Sequence, residues 1–270
     1  MIPKEWNRPT DFKIEEGKRR IKLVLAYDGS NFSGWQRQQE VRTVQQELEE
    51  SCEKLFKEQI TVFGSGRTDA KVHAFGQVAH FDTKNHSIPP SSIAIALNPM
   101  LPKDIKIISS SLVNENFHAR FTSLSREYRY YVKQRDDVSP FDYHKVGIVK
   151  KFPSIELLNK YAKIVIGIHD FKTFASAHDQ SKSTIRDIFN SEFYFQPSNY
   201  GGELLVYKVA ANAFLMHQVR SMVGTMLQLG EKNRTPEEFR KILESKKRVE
   251  ALRTADPWGL YLYRIEHANF

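Results

Sequence analysis

TIRDIFNSEFYFQPSNYGGELLVYKVAANAF, residues 184–214, holds two runs rich in aromatic and β-branched residues around the turn cluster QPSNYGG. Such runs joined by a short stretch of proline, asparagine and glycine read as an antiparallel strand pair. A parallel pair would need a crossover of a dozen or more residues. Downstream, LMHQVRSMVGTMLQLG (215–230) is strongly helical, with Gly230 expected as its C-terminal cap. TPEEFRKILES (235–245) predicts a helix with Thr235 as N-cap, Pro236 in the first position and Glu238 closing a capping box. GLYLYRIEH (259–267) reads as a further strand.

Upstream, Ser154 is placed to cap a helix through IELLNKYAKIVIG, and REYRYYVKQ (126–134) alternates as a strand. In it Tyr128, Tyr130 and Val132 share one face, with Arg129, Tyr131 and Lys133 on the other. IKIISSSLV, GQVAHFD and QITVFG read as strands and SSIAIALNPM as a short helix. Thr43 and Gln46 form a capping-box pattern before Val44, Leu48, Cys52, Leu55 and Phe56 at helical spacing. IKLVLAYDG (21–29) is the first predicted strand. Strands outnumber helices and neighbours pair antiparallel, which is an α+β pattern. The expected organisation is a polar tail over 1–20, one α+β subdomain over 21–113 and a second over 114–270, each with one or two helices.

Composition narrows the function. Lys plus Arg number 40 against 32 Asp plus Glu, a net charge of +8, so a polyanionic partner such as RNA is expected. A single cysteine, Cys52, excludes an intramolecular disulfide and a multi-cysteine zinc site, and its helical spacing makes it a core residue. The opening MIPKEWNRPTDFKIEEGKRR lacks the apolar run of a signal peptide, and no stretch approaches the roughly 20 apolar residues of a membrane span. A cytoplasmic protein is expected. GKRR reads as a solvated charge run.

Three clusters carry chemistry. FGSGRTDAKVHAFGQ (63–77) sets one carboxylate, Asp69, beside Arg67 and behind Gly64 and Gly66. An arginine within a few ångströms keeps a carboxylate ionised, as a nucleophile requires, and glycines let backbone approach a ligand closely. In an extended segment Arg67 would face the same way as Asp69; in a turn the geometry is open. The loop lacks the spacing of a Walker phosphate loop, because Val72 follows Lys71. NAFLMHQVRSMVG (212–224) enters a helix bearing Arg220, which either snorkels from an apolar face or pairs with a buried acid. FHARFTSLSREYRYYV (117–132) interleaves arginine with aromatic residues, a pattern suited to phosphate contact and base stacking, or to a strand with its tyrosines in the core. His73, His80 and His86 lack metal-ligand spacing, so no metal site is expected.

Taken together, YDGSNFSGWQRQ, RTVQQELE, GSGRTDAKVHAFGQVAHF, LPKDIKI, FHARFTSLSREYRYYV, HDFKTF, NAFLMHQVRSMVG and GLYL resemble, in order, the motifs of the TruA-type tRNA pseudouridine synthases. The resemblance implies that Asp69 is the catalytic aspartate and that Arg67 helps displace the target base. It implies further that Tyr128 packs on the uracil and that Arg220 pairs with the catalytic carboxylate. It also implies two RNA-recognition-like α+β subdomains with mainly antiparallel sheets, helices on one face and an active-site cleft between them. Homodimers acting on uridines 38, 39 and 40 of the tRNA anticodon stem-loop, without metal or cofactor, complete the expectation. Two departures stand out: Lys71 where the family usually has glycine, and TADPWGLYL in place of a shorter small-residue pattern.

Rival readings are a non-catalytic RNA-binding protein, a synthase for other RNA positions, and an aspartate-nucleophile phosphohydrolase. Asp69 argues against the first, since a carboxylate repels phosphate. The last normally needs Mg²⁺ held by further carboxylates, and GSGRTDA supplies one acid.

Overall fold

The computed structural model describes residues 12–268, in an α+β arrangement of ten strands and five α-helices among those residues. Contacts divide the described residues into two units, one drawn from Met1–Arg126 and Leu262–Phe270, the other Glu127–Tyr261.

The first unit is built on β1 (Arg19–Tyr27), which pairs antiparallel with β3 (His73–Thr83) on one side and β4 (Ile105–Val113) on the other. The two-residue strand β2 (Phe63–Gly64) pairs with His80 and Ala79 of β3, and β10 (Leu260–His267) lies beside β3. Alternation buries Ile21, Leu23, Leu25 and Tyr27 on one face of β1. Helix α1 (Val44–Phe56) meets that core with Val44, Leu48, Cys52 and Phe56, while α2 (Ile93–Leu97) adds Ile93, Ala94 and Leu97. Thr43 accepts from the Gln46 amide as expected, but the Gln46 side chain donates to Glu50, so the cap is single and not a reciprocal box.

The predicted tail runs into β1, which begins at Arg19; residues 1–11 of that tail lie outside the described residues. Arg20 corrects the reading of GKRR as a solvated run. It is 4% exposed, meets Asp82 through two 2.8 Å bonds and donates to the carbonyls of Phe12, Glu115 and Phe117. A buried guanidinium has five donors to place, and here a carboxylate and three carbonyls take them.

In the second unit the strands run β5 (Ser123–Gln134), β9 (Glu203–Ala211), β8 (Ile185–Pro197) and β7 (Gly167–Asp170). β8 and β9 form the predicted antiparallel pair. β6 (Gly147–Val149) adds to β5 in parallel, and neither β6 nor β7 was predicted. Three helices, α3 (Ile155–Ile164), α4 (Gln218–Glu231) and α5 (Pro236–Ser245), lie where the sequence predicts each of them, one more than the one or two allotted to each subdomain. Tyr161, Phe174 and Phe239 anchor the core between them. α5 carries the predicted capping box of Thr235 and Glu238. Gly230 is not the cap of α4. It lies inside the helix, where a Cβ would stand 2.8 Å from Pro153, so it is required for close packing.

Lys133 is fully buried and bonds Asp142 at 2.7 Å. Burial works to raise the Asp142 pKa, but Lys133 and the Ser139 donors outweigh it and hold the carboxyl low.

Candidate active site

The 63–77 loop is fixed by its backbone. Ser65 N donates to Val78 O at 2.8 Å, and the Gln77 amide grips Gly66 twice, accepting from its N–H at 3.2 Å and donating to its carbonyl at 2.7 Å. Thr68 is buried, with its hydroxyl 2.7 Å from the Tyr27 hydroxyl, and its carbonyl accepts from Trp35 N at 3.1 Å. Thr68 faces the interior, while Arg67 before it is exposed and Asp69 after it is half-buried.

The segment YDGSNFSGWQRQ is the bed of this loop, a role its sequence did not reveal. A Cβ on Gly29 would stand 2.0 Å from Val72 O, and one on Gly34, whose φ is +98°, would stand 2.7 Å from Thr68 O. Gly29 N also donates to His73 Nδ1 at 3.1 Å, and Lys71 N to Phe32 O at 3.1 Å. Both glycines let one backbone lie directly on another. Lys71 adopts φ +68°, the left-handed conformation that glycine takes freely.

A second tie comes from Arg126, which is buried. Its Nη2 donates to Ser65 O at 3.1 Å and to Arg120 O at 2.9 Å, joining the loop to FHARF. The arginine–aromatic pattern of 117–132 offers Arg126 as an RNA contact, but its guanidinium is spent on backbone carbonyls. Its place on the Tyr128 face of β5, two residues earlier, was the available signal.

Tyr128 and Arg220 belong to the second unit. Tyr128 is buried on β5, edge-on to Phe214 at 5.3 Å. Arg220, half-buried on α4, donates from Nε to Ala255 O at 2.9 Å, and Ala255 N returns a bond to Arg220 O at 3.1 Å. TADPWGLYL therefore supplies a carbonyl that fixes the Arg220 side chain. The neighbouring Tyr130 donates to Asp256 O at 2.9 Å. Burial and then Asp256 push its hydroxyl pKa up, with Arg220 pulling the other way, so Tyr130 stays a donor. His217 opens α4 with φ 63°. Thus Arg67 and Asp69 share one loop of the first unit, while Tyr128 and Arg220 are both in the second.

The loop thus carries a carboxylate and a guanidinium two residues apart on a backbone held by hydrogen bonds. Among the described residues no group of His, Cys, Asp or Glu could hold a metal ion, and no helix is long and apolar enough to cross a membrane.

Comparison with known proteins gives this geometry its context. A family profile described as tRNA pseudouridine synthase matches residues 23–122 and 161–267. The tRNA pseudouridine synthase A of Treponema denticola is 39% identical over 264 residues, covering 94% of this chain and 95% of that protein. The protein of the same name from Anoxybacillus flavithermus is 41% identical over 93% of this chain and 100% of its own length. That of Ligilactobacillus salivarius is 39% identical over 92% of this chain and 96% of its own. With a profile that spans most of the chain and relatives that match it nearly end to end, the chain belongs to the tRNA pseudouridine synthase family.

Proposed function

We propose that this chain isomerises uridine to pseudouridine in tRNA, on the 3′ side of the anticodon stem-loop, with Asp69 as the nucleophile. The observation that carries the reading is a half-buried carboxylate beside an exposed arginine, on a loop whose backbone is bonded at Ser65, Gly66, Thr68 and Lys71. A carboxylate held in place loses little freedom when the substrate arrives.

The reaction breaks the N1–C1′ bond, turns the uracil and joins C5 to C1′. Nothing is oxidised or hydrolysed. The target base must first leave its stack, at a cost of a few kcal/mol. Arg67, exposed on the loop, offsets part of that cost by taking the space the base vacates. Tyr128 covers the base, and the Asp69 anion acts at the base or at C1′. C5 then loses its proton, with Tyr128 or water as relay. Arg220 is the counter-charge to the carboxylate. A homodimer in the cytoplasm, gripping one tRNA on its basic surface, completes the proposal.

Asp69→Asn tests it on unmodified tRNA transcripts. Pseudouridine is mapped by carbodiimide modification and primer extension while binding is measured in parallel. The variant is expected to bind and not to modify. Retained modification would remove Asp69 from the chemistry, and a wild type that binds without modifying any uridine would favour an RNA-binding protein. Arg220→Ala is expected to lose turnover by tenfold or more, about 1.4 kcal/mol in the barrier, with tRNA affinity little changed. Equal losses of both would deny it the counter-charge role.

A further inference from the structure

Six described arginines of the first unit have partners for their side chains. Arg20 faces Asp82, Arg37 faces Glu49, Arg42 faces Asp104 and Arg264 faces Glu266, while Arg19 and Arg126 donate to carbonyls. Arg67 and Arg120 differ. Both are exposed, and among the described residues neither guanidinium makes a hydrogen bond or an ion pair.

The segments that carry the two are tied together. The Arg126 Nη2 atom reaches both Ser65 O and Arg120 O, so the backbones that carry Arg67 and Arg120 are pinned to one donor. Partial burial, and then the Arg67 charge, lower the Arg120 pKa, the signature of two cations held in one field. The Arg120 guanidinium lies 5.6 Å from the Phe121 ring centroid. Phe121 continues through His118, at 4.6 Å, to Phe63, which is 47% exposed at the head of the catalytic loop.

Two exposed guanidiniums in one field attract an anion, and arginine forks match phosphate oxygens. Aromatic rings beside them suit a nucleotide better than a free ion. We infer that Arg67 and Arg120 together form a phosphate subsite for one phosphodiester of the RNA strand, which rests on the proposed RNA substrate. Arg67 thereby serves the backbone of the displaced nucleotide as well as its vacated stack.

The test measures binding of a labelled tRNA transcript by full-length Asp69→Asn, with and without Arg120→Gln, across a salt series. Arg120→Gln is expected to weaken binding about tenfold at low salt and to reduce the slope of log Kd against log salt by about 1. Arg120→Lys is expected to keep the slope. An unchanged slope in Arg120→Gln overturns the subsite. Inorganic phosphate gives a second reading that needs no correctly folded variant. At equal ionic strength it should displace RNA from the unsubstituted arginine pair better than chloride does, and no such advantage also overturns the subsite. Pseudouridine formation by wild type on the same transcript separates the two ideas. A fall in slope without pseudouridine leaves the subsite standing and removes the catalytic reading; pseudouridine with an unchanged slope does the reverse.

Discussion

Lys71 holds a left-handed backbone two residues after the proposed nucleophile. A side chain in that conformation costs about 1–2 kcal/mol, which glycine escapes. Lys71→Gly is therefore expected to raise unfolding stability by about 1 kcal/mol, after the greater freedom glycine gains in the unfolded chain is subtracted. Urea denaturation checks it, and a loss of stability would mean that the Lys71 side chain contributes more than its backbone costs. At this scale the cations and turn glycines around Asp69 single it out in the sequence, although an isolated TDA would read as a surface turn. The Arg126 tie was not, because it runs to backbone carbonyls that every residue carries. Nor was the role of Gly29 and Gly34, which depends on what lies on top of them.

Among the elements, periodicity served the long ones well. β1, β4, β8, β9 and α5 fall where alternation, turn residues and capping residues place them. β6 and β7, at three and four residues, are too short to show a period and exist through their partners β5 and β8. Gly230 was misread because the glycine that ends a helix and the glycine that lets a helix touch a neighbour look alike in sequence. The distinction predicts a sign. Alanine normally gains about 1 kcal/mol over glycine inside a helix, yet a Cβ 2.8 Å from Pro153 must displace it. Gly230→Ala is expected to destabilise by about 1–2 kcal/mol net, measured as a lowered midpoint in thermal or urea unfolding. A gain in stability would show that the Pro153 loop yields freely.

For the whole molecule, the expectation concerns acid. Burial, with the charges of neighbouring histidines and Arg20, lowers the His80 pKa to about 2. Burial followed by Arg20 and Arg120 lowers His118 to about 4; burial, with Lys22 and Arg126 opposing the bond from His267 to Ala119 O, lowers His267 to about 4. His118 Nδ1 accepts from the amides of Arg120 and Phe121, so a proton there breaks the FHARF turn. Above pH 6.5 these residues are neutral both folded and unfolded and stability is indifferent to them. As pH falls from 6.5 towards 4, the unfolded chain takes protons that the folded chain refuses, so stability declines across that window. Each unit of depression corresponds to about 1.4 kcal/mol at the limit. Urea midpoints across this range should fall, and should fall less in His118→Asn; a level profile would show that these histidines are protonated without cost. The basic balance of the chain gave the class of partner from composition alone, whereas this acid sensitivity depends on burial, which composition does not contain.

The first unit takes its last strand segment from Leu262 onward, after the whole of the second unit. His267, near the end of that segment, donates to Ala119 O at 2.9 Å and packs on Phe117 at 5.0 Å, within the FHARF turn. On the ribosome, the amino-terminal portion emerges early but waits for its closing strand through the synthesis of more than a hundred further residues, counted between Arg126 and Leu262. The arginine-bearing turn acquires this support only once residue 267 has left the exit tunnel, so it stays unbraced while the second unit is being made.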